Sequence, residues 1–167
     1  MTPPRDYFHI LTSARPIADR TIAMRHVITS LWAEFGESTP QTPRRGLFSW
    51  VGFYEIAPGE TEMTLACREP KPACSPIGLQ GMCGRGWRER TSFVVNDVAV
   101  LGSNYIACDP RDKSEVVVPM LLRDTCWGVL DVDSYQVGAF STLDARHLGE
   151  LCREFGLTDR IAEVVVL

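Results

Sequence analysis

Two apolar runs joined by a short polar turn dominate the second half of the chain. They are Glu115 to Leu122 (EVVVPMLL), Arg123-Asp124-Thr125, and Cys126 to Ser134 (CWGVLDVDS). β-Branched and aromatic residues favour strands, and so short a connection returns the second run antiparallel beside the first. Leu47 to Ile56 (LFSWVGFYEI) has the same character and, after a turn at Pro58-Gly59-Glu60, pairs with Glu62 to Cys67 as a second hairpin. Ser92 to Asn96 reads as a further short strand. Between Ile17 and Phe35, Met24, Val27, Ile28, Leu31, Trp32 and Phe35 recur at three- and four-residue steps, a helical stripe closed by Gly36. Ser141 with Asp144 caps a second helix, whose buried stripe is Leu148, Leu151, Cys152 and Phe155 and which ends at Gly156. The tail, Ile161 to Leu167, reads as either an edge strand or a helix end. Helix, hairpin, strand, hairpin, helix is an α+β order, an antiparallel sheet with helices packed on it.

The 167 residues suit a single domain able to bury a core without disulfide staples. A net charge of −4 argues against a broad nucleic-acid surface. No apolar run approaches the roughly 20 residues of a membrane span. Met1 to Ile10 lacks a basic segment followed by an apolar one, so no secretory signal is expected and a cytoplasmic setting is. In that setting six cysteines are expected to be mostly reduced, with transient catalytic disulfides still allowed.

Three of those cysteines sit among Gly, Pro and charge: Cys74 after Lys71-Pro72-Ala73, Cys83 in Gly81-Met82-Cys83-Gly84, and Cys108 before Asp109-Pro110. Such thiols are reachable by solvent, so redox or nucleophilic chemistry is the leading reading. They occupy two long loops, Glu69 to Gly86 and Asp97 to Lys113, and long ordered loops are often functional. The cysteines stand nine and twenty-five residues apart, with none of the short C-x-x-C or H-x-x-x-H pairs of structural zinc sites, so no metal is expected. Cys108 has Asp109 on one side of the balance and Arg111 and Lys113 on the other, which leaves the sign of its pKa shift open. Cys83 is placed to open a short helix through Trp87 and Arg88, where the macrodipole favours thiolate. Cys67, Cys126 and Cys152 lie inside strand or helix patterns and read as core.

Strand alternation puts Asp131 and Asp133 on one face, about 7 Å apart by the rise per residue. Two like charges there are either a solvated strand end or a pocket for a cationic group such as an amine. The hairpin register brings Glu115 near Asp133, so three carboxylates converge at one end of the sheet. His9, His26 and His147 lie away from this cluster. Gly81-Met82-Cys83-Gly84-Arg85-Gly86 lacks the context and the Lys-Ser/Thr of a phosphate loop.

Six segments in order, SWVGFY (49–54), KPAC (71–74), GMCG (81–84), IACD (106–109), SEVVVP (114–119) and GVLDVDS (128–134), resemble the free methionine-(R)-sulfoxide reductases, single GAF-domain enzymes. The resemblance covers roughly Tyr7 to Phe155. It implies a single GAF domain over residues 1–167, with its core at about 7–155, a loop at 37–46 and a tail at 157–167. The implied fold is a six-stranded antiparallel sheet with helices on one face and a loop-covered pocket on the other. The implied activity is reduction of free L-methionine (R)-sulfoxide without a cofactor, recycled by a thiol reductant such as thioredoxin, in a homodimer. By position, Cys108 matches the attacking cysteine, and Cys74 and Cys83 match resolving cysteines. Glu115, Asp131 and Asp133 match the acids that hold the ammonium and sulfoxide, and Trp50 and Tyr54 match the aromatics around the methyl-sulfur end. The chain departs from the family in a Cys74–Cys83 segment one residue short, in the lead-in Ala66-Cys67-Arg68-Glu69-Pro70, and in the bulky Arg85-Gly86-Trp87. The competing classes are a non-catalytic GAF sensor of a small ligand and a thiol redox switch.

Overall fold

A computed structural model describes residues 4–38, 47–105 and 108–167. Most of the expected loop at 37–46, and Ile106 and Ala107 of the IACD motif, lie outside the described residues. The strands are β1 (Trp50–Glu55), β2 (Glu62–Glu69), β3 (Ile77–Gly78), β4 (Ser92–Val95), β5 (Ser114–Leu122), β6 (Thr125–Ser134) and β7 (Val164–Val166). The helices are α1 (Phe8–Ser13), α2 (Arg20–Phe35), α3 (Met82–Glu89) and α4 (Thr142–Glu154), with a 3-10 segment at Val98–Asn104.

The strands form one sheet in the order β3-β2-β1-β6-β5-β4-β7. Both expected hairpins are present, β1 with β2 and β5 with β6, and β1 also pairs antiparallel with β6. The strand count differs from the expected six. The tail resolves as an edge strand, β7, which runs parallel to β4 and makes a seventh. Its Val-Val-Val run favours a strand, but nothing local in the sequence says which strand it joins. Helix α2 begins at Arg20, three residues after the expected start, because Asp19 caps it and its carboxylate accepts from the Ile22 amide at 2.9 Å.

Alternation divides the sheet into two faces. Phe53, Val116, Val118, Leu130 and Val132 face α2 and α4 with Leu31, Phe48 and Leu148. Trp50, Tyr54, Val95, Val117 and Val129 face the other way, with Met82 and Cys83 of α3. The pocket face therefore carries a helix as well as loops. Gly86 lets α3 lie close: a Cβ there would stand 2.8 Å from a methyl carbon of Val117 on β5.

Asp144 ties the N-terminal segment to this frame. It completes a capping box with Ser141 at the start of α4, accepts from the Tyr7 hydroxyl at 2.9 Å, and pairs with Arg5 at 2.9 Å. Both ion-pair side chains are only 6% exposed. Asp144→Ala strips the cap and leaves a buried guanidinium without its partner, and should lower stability by about 3 kcal/mol in urea unfolding. A loss below about 1 kcal/mol would show that the N-terminal segment is not anchored there.

Candidate active site

The site is built from the outward-facing positions of β1, β5 and β6. Register places Trp50 opposite Asp133, Gly52 opposite Asp131, and Glu115 opposite Asp133. Glu115 and Asp131 are buried, and Asp133 is half-buried. The three acids thus converge as the strand pattern predicts. With Asp112, which the sequence reading missed, they line a cavity of about 50 Å³, room for a few water molecules. Trp50, Tyr54, Tyr105, Lys71, Cys108 and Asp109 complete the wall.

Gly52 explains how two large aromatics share one strand face. The Trp50 ring lies across it toward Tyr54, with ring centroids 6.0 Å apart, and a Cβ at position 52 would stand 2.2 Å from that ring. Both rings also hold the loop above them. The Trp50 indole donates to the Lys71 carbonyl at 2.9 Å, and the Tyr54 hydroxyl donates to the Cys74 carbonyl at 2.8 Å.

That loop brings Cys74 to Cys108. The two are joined by a disulfide, with Cα atoms 5.6 Å apart and a sequence separation of 34. Both are exposed. Cys83 differs. It does start a helix, as the second residue of α3, but it is 6% exposed and lies against Glu115 and Asp131. The expectation of a solvent-reachable, ionised thiol is corrected for this residue. Burial first, then the charges of Asp131 and Glu115, push the Cys83 thiol well up. The macrodipole cannot outweigh two carboxylates and the loss of water. Cys126 and Cys152 are buried and Cys67 is half-buried, in keeping with their reading as core. Burial pushes Cys67 up to about 11.

The electrostatics of the acids follow from their depth. Burial raises Glu115, Asp131 and Asp133 well above the usual carboxylate range, and each is raised further by charge on neighbouring acids. Glu115 and Asp131 face one another, with carboxyl oxygens within 4.8 Å. Among the described residues, Glu115 Oε2 and Asp131 Oδ1 are the only buried side-chain nitrogen or oxygen atoms without a hydrogen-bond partner. Buried polar groups are rarely left so. The cavity floor is shaped for a cation or a hydrogen-bond donor.

Beside Cys108 the balance is the reverse. Arg111 donates to both Asp109 oxygens, at 3.1 and 2.8 Å, Lys71 pairs with the same carboxylate, and the Tyr135 hydroxyl donates to it at 3.0 Å. Arg111 first, then Lys71, hold Asp109 well below the usual carboxylate range. Lys71 and Arg111 are thus both engaged with Asp109. Lys71 and Tyr135 gave no periodic or spacing signal, although Lys71 stands in the KPAC motif. Tyr105, Asp112 and Tyr135 lie in irregular segments where neither strand nor helix spacing applies.

No family model matches the chain. It superposes on the X-ray structure of a free methionine-R-sulfoxide reductase from Neisseria meningitidis in complex with its substrate. That match has 32% identity and a TM-score of 0.69, over 87% of this chain and 80% of that one. A reduced-form reductase of the same kind from Staphylococcus aureus matches at 30% identity and a TM-score of 0.72, over 92% and 96% of the two chains. The chain belongs to the free methionine-R-sulfoxide reductase family. The fold is that of a GAF domain: a solved GAF domain only 19% identical still superposes with a TM-score of 0.60. The free methionine-R-sulfoxide reductase of Escherichia coli is 33% identical over 105 residues, 62% of this chain. The chain spans 61% to 66% of the length of the curated relatives it matches first. Among the described residues no helix is long and apolar enough to cross a membrane.

The raised acids fix a sign for stability against pH. The native state keeps protons on Glu115, Asp131 and Asp133 that the unfolded chain releases just above the ordinary carboxylate range. Stability conferred by these groups is therefore complete at low pH and is lost as pH rises through their raised native values. Asp131→Asn removes one of these acids. It should raise the midpoint of thermal unfolding at pH 8 by about 3 °C and flatten its fall between pH 5.5 and 8, both read by circular dichroism. A lower midpoint at pH 8 would contradict the charge balance described here.

Proposed function

We propose that the chain reduces free L-methionine (R)-sulfoxide to methionine, with Cys108 attacking and Cys74 resolving. The observation that carries this reading is the Cys74–Cys108 disulfide at the lip of an acid-floored, aromatic-walled cavity. The thiolate of Cys108 attacks the sulfoxide sulfur, and the oxygen passes to Cys108 as a sulfenic acid while methionine leaves. A proton held by the Glu115–Asp131 pair goes to the sulfoxide oxygen as its bond to sulfur breaks, the work of a general acid kept neutral by burial. Asp133, half-buried at the more open end of the floor, gives up its proton as it takes the substrate ammonium. Trp50 and Tyr54 receive the methyl-sulfur end, where sulfur meets aromatic edges. The Cys74 thiol then condenses with the sulfenic acid, giving the disulfide and water. A dithiol reductant, thioredoxin in this reading, restores both thiols by exchange.

Resolution by Cys74 rather than Cys83 is supported by its exposure to an incoming reductant and by its short span to Cys108. Cys83 lies behind the acids, with its thiol pushed up. The disulfide-closed cavity holds a few waters and no amino acid, so substrate enters after reduction frees the two loops. Exposed Phe8 on α1 and Ile22 on α2 supply apolar surface for the homodimer this reading includes. A purely sensory GAF module needs no disulfide at its cavity mouth, which favours the catalytic reading.

Two measurements test this. Incubation with dithiothreitol should consume free methionine-(R)-sulfoxide and spare the S epimer. Loss of neither epimer would end the enzymatic reading. Cys108→Ser should reduce turnover to that of dithiothreitol alone. Cys74→Ser should keep the first stoichiometric reduction and slow steady-state turnover with thioredoxin by about tenfold or more. If Cys108→Ser still releases one methionine per chain in a single turnover, the attacking thiol lies elsewhere.

A further inference from the structure

The role of Cys83 is left open by the reductase cycle described above, and its surroundings are unusual for a spare core thiol. Its Sγ, a Glu115 oxygen and an Asp131 oxygen all lie within 4.8 Å of one another, and all three residues are buried. They come from three separate elements, α3, β5 and β6, each rigidly paired or packed. Two of the three carry the unpartnered oxygens, Glu115 Oε2 and Asp131 Oδ1. A small cavity of about 30 Å³ opens directly onto this trio; it shares Tyr54, Tyr105 and Cys108 with the cavity described above and is closed by Ile77 and Met82.

From this geometry we infer that Cys83, Glu115 and Asp131 form a binding site for a divalent, thiolate-preferring metal ion of the Zn²⁺ class. One sulfur and two carboxylate oxygens, with a fourth position open to water or to Asp133 on the same strand face, make a ligand set zinc accepts in tetrahedral geometry. The sulfur ligand selects against Mg²⁺ and Ca²⁺, which prefer oxygen alone. On binding, the Cys83 thiol proton and the protons held by Glu115 and Asp131 leave to solvent as the metal–ligand bonds form, and no electron is transferred. The sequence spacing gave no sign of this site because its ligands stand 32 and 16 residues apart. Cys83 is free while Cys74 and Cys108 are bonded, so the site is complete in the disulfide form. An ion there takes charge that the substrate would use, so occupancy inhibits turnover.

The test uses Co²⁺ as a spectroscopic stand-in, added to the full chain in its disulfide form without thiol reductant. The expected result is a near-ultraviolet thiolate-to-cobalt charge-transfer band that saturates at one ion per chain, is displaced by Zn²⁺, and is absent in Cys83→Ser. No band in the wild type, or a band retained in Cys83→Ser, overturns the inference. If Cys83→Ser does not fold, Glu115→Gln and Asp131→Asn decide. Each keeps the sulfur band and should weaken cobalt affinity by at least about tenfold, and unchanged affinity in both overturns the site. This titration involves no substrate, so it stands or falls separately from the epimer assay of the reductase reading.

Discussion

The pairing of β5 with β6 sets Glu115 against Asp133 and leaves Asp131 one step further along the same face. Because side chains alternate strictly along a strand, that register also commits Val116, Leu130 and Val132 to the opposite face, among the core residues under α2 and α4. A slip of one residue would bury the acids in that core and bring valines and leucines to the cavity. The apolar core and the acidic floor are therefore one specification. The cost of the floor is borne by a two-faced sheet whose other side is fully packed.

That cost is visible in the acids themselves. Three carboxyls taken out of water, with two oxygens unpartnered, are an unfavourable arrangement for an isolated fold. Such an arrangement is maintained where a ligand completes it, and stability is commonly lower at sites built this way. Asp109, by contrast, is saturated with donors, from Arg111, Lys71 and Tyr135. The two kinds of acid sit on one cavity wall and have opposite protonation tendencies. One is held ionised by cations beside Cys108, and the others are held neutral by depth. Environment, rather than residue type, divides the work.

How far the sequence reached depended on whether a residue obeyed a period. Asp131, Asp133 and Glu115 were legible because alternation and a short turn fix their relative positions. The capping box at Ser141 and Asp144 was legible because its spacing is local. The tail was not, since a Val-rich edge strand finds its partner through tertiary contact with β4. Cys83 illustrates a different gap. Gly and Pro around a cysteine signal an irregular backbone, but they do not tell whether that backbone lies on the surface or is pressed into the sheet by α3. The link from Lys71 to Asp109, across 38 residues and between two irregular segments, had no local signature.

Trp50 and Tyr54 use their rings to shape the cavity and their polar tips to hold the backbone of Lys71 and Cys74. Pocket shape and thiol placement therefore cannot drift independently. A chain of this architecture that exchanged either aromatic to widen the cavity would also lose a tether on the loop that carries Cys74. The width of the cavity in such a protein is constrained from the side of the loop that carries its disulfide.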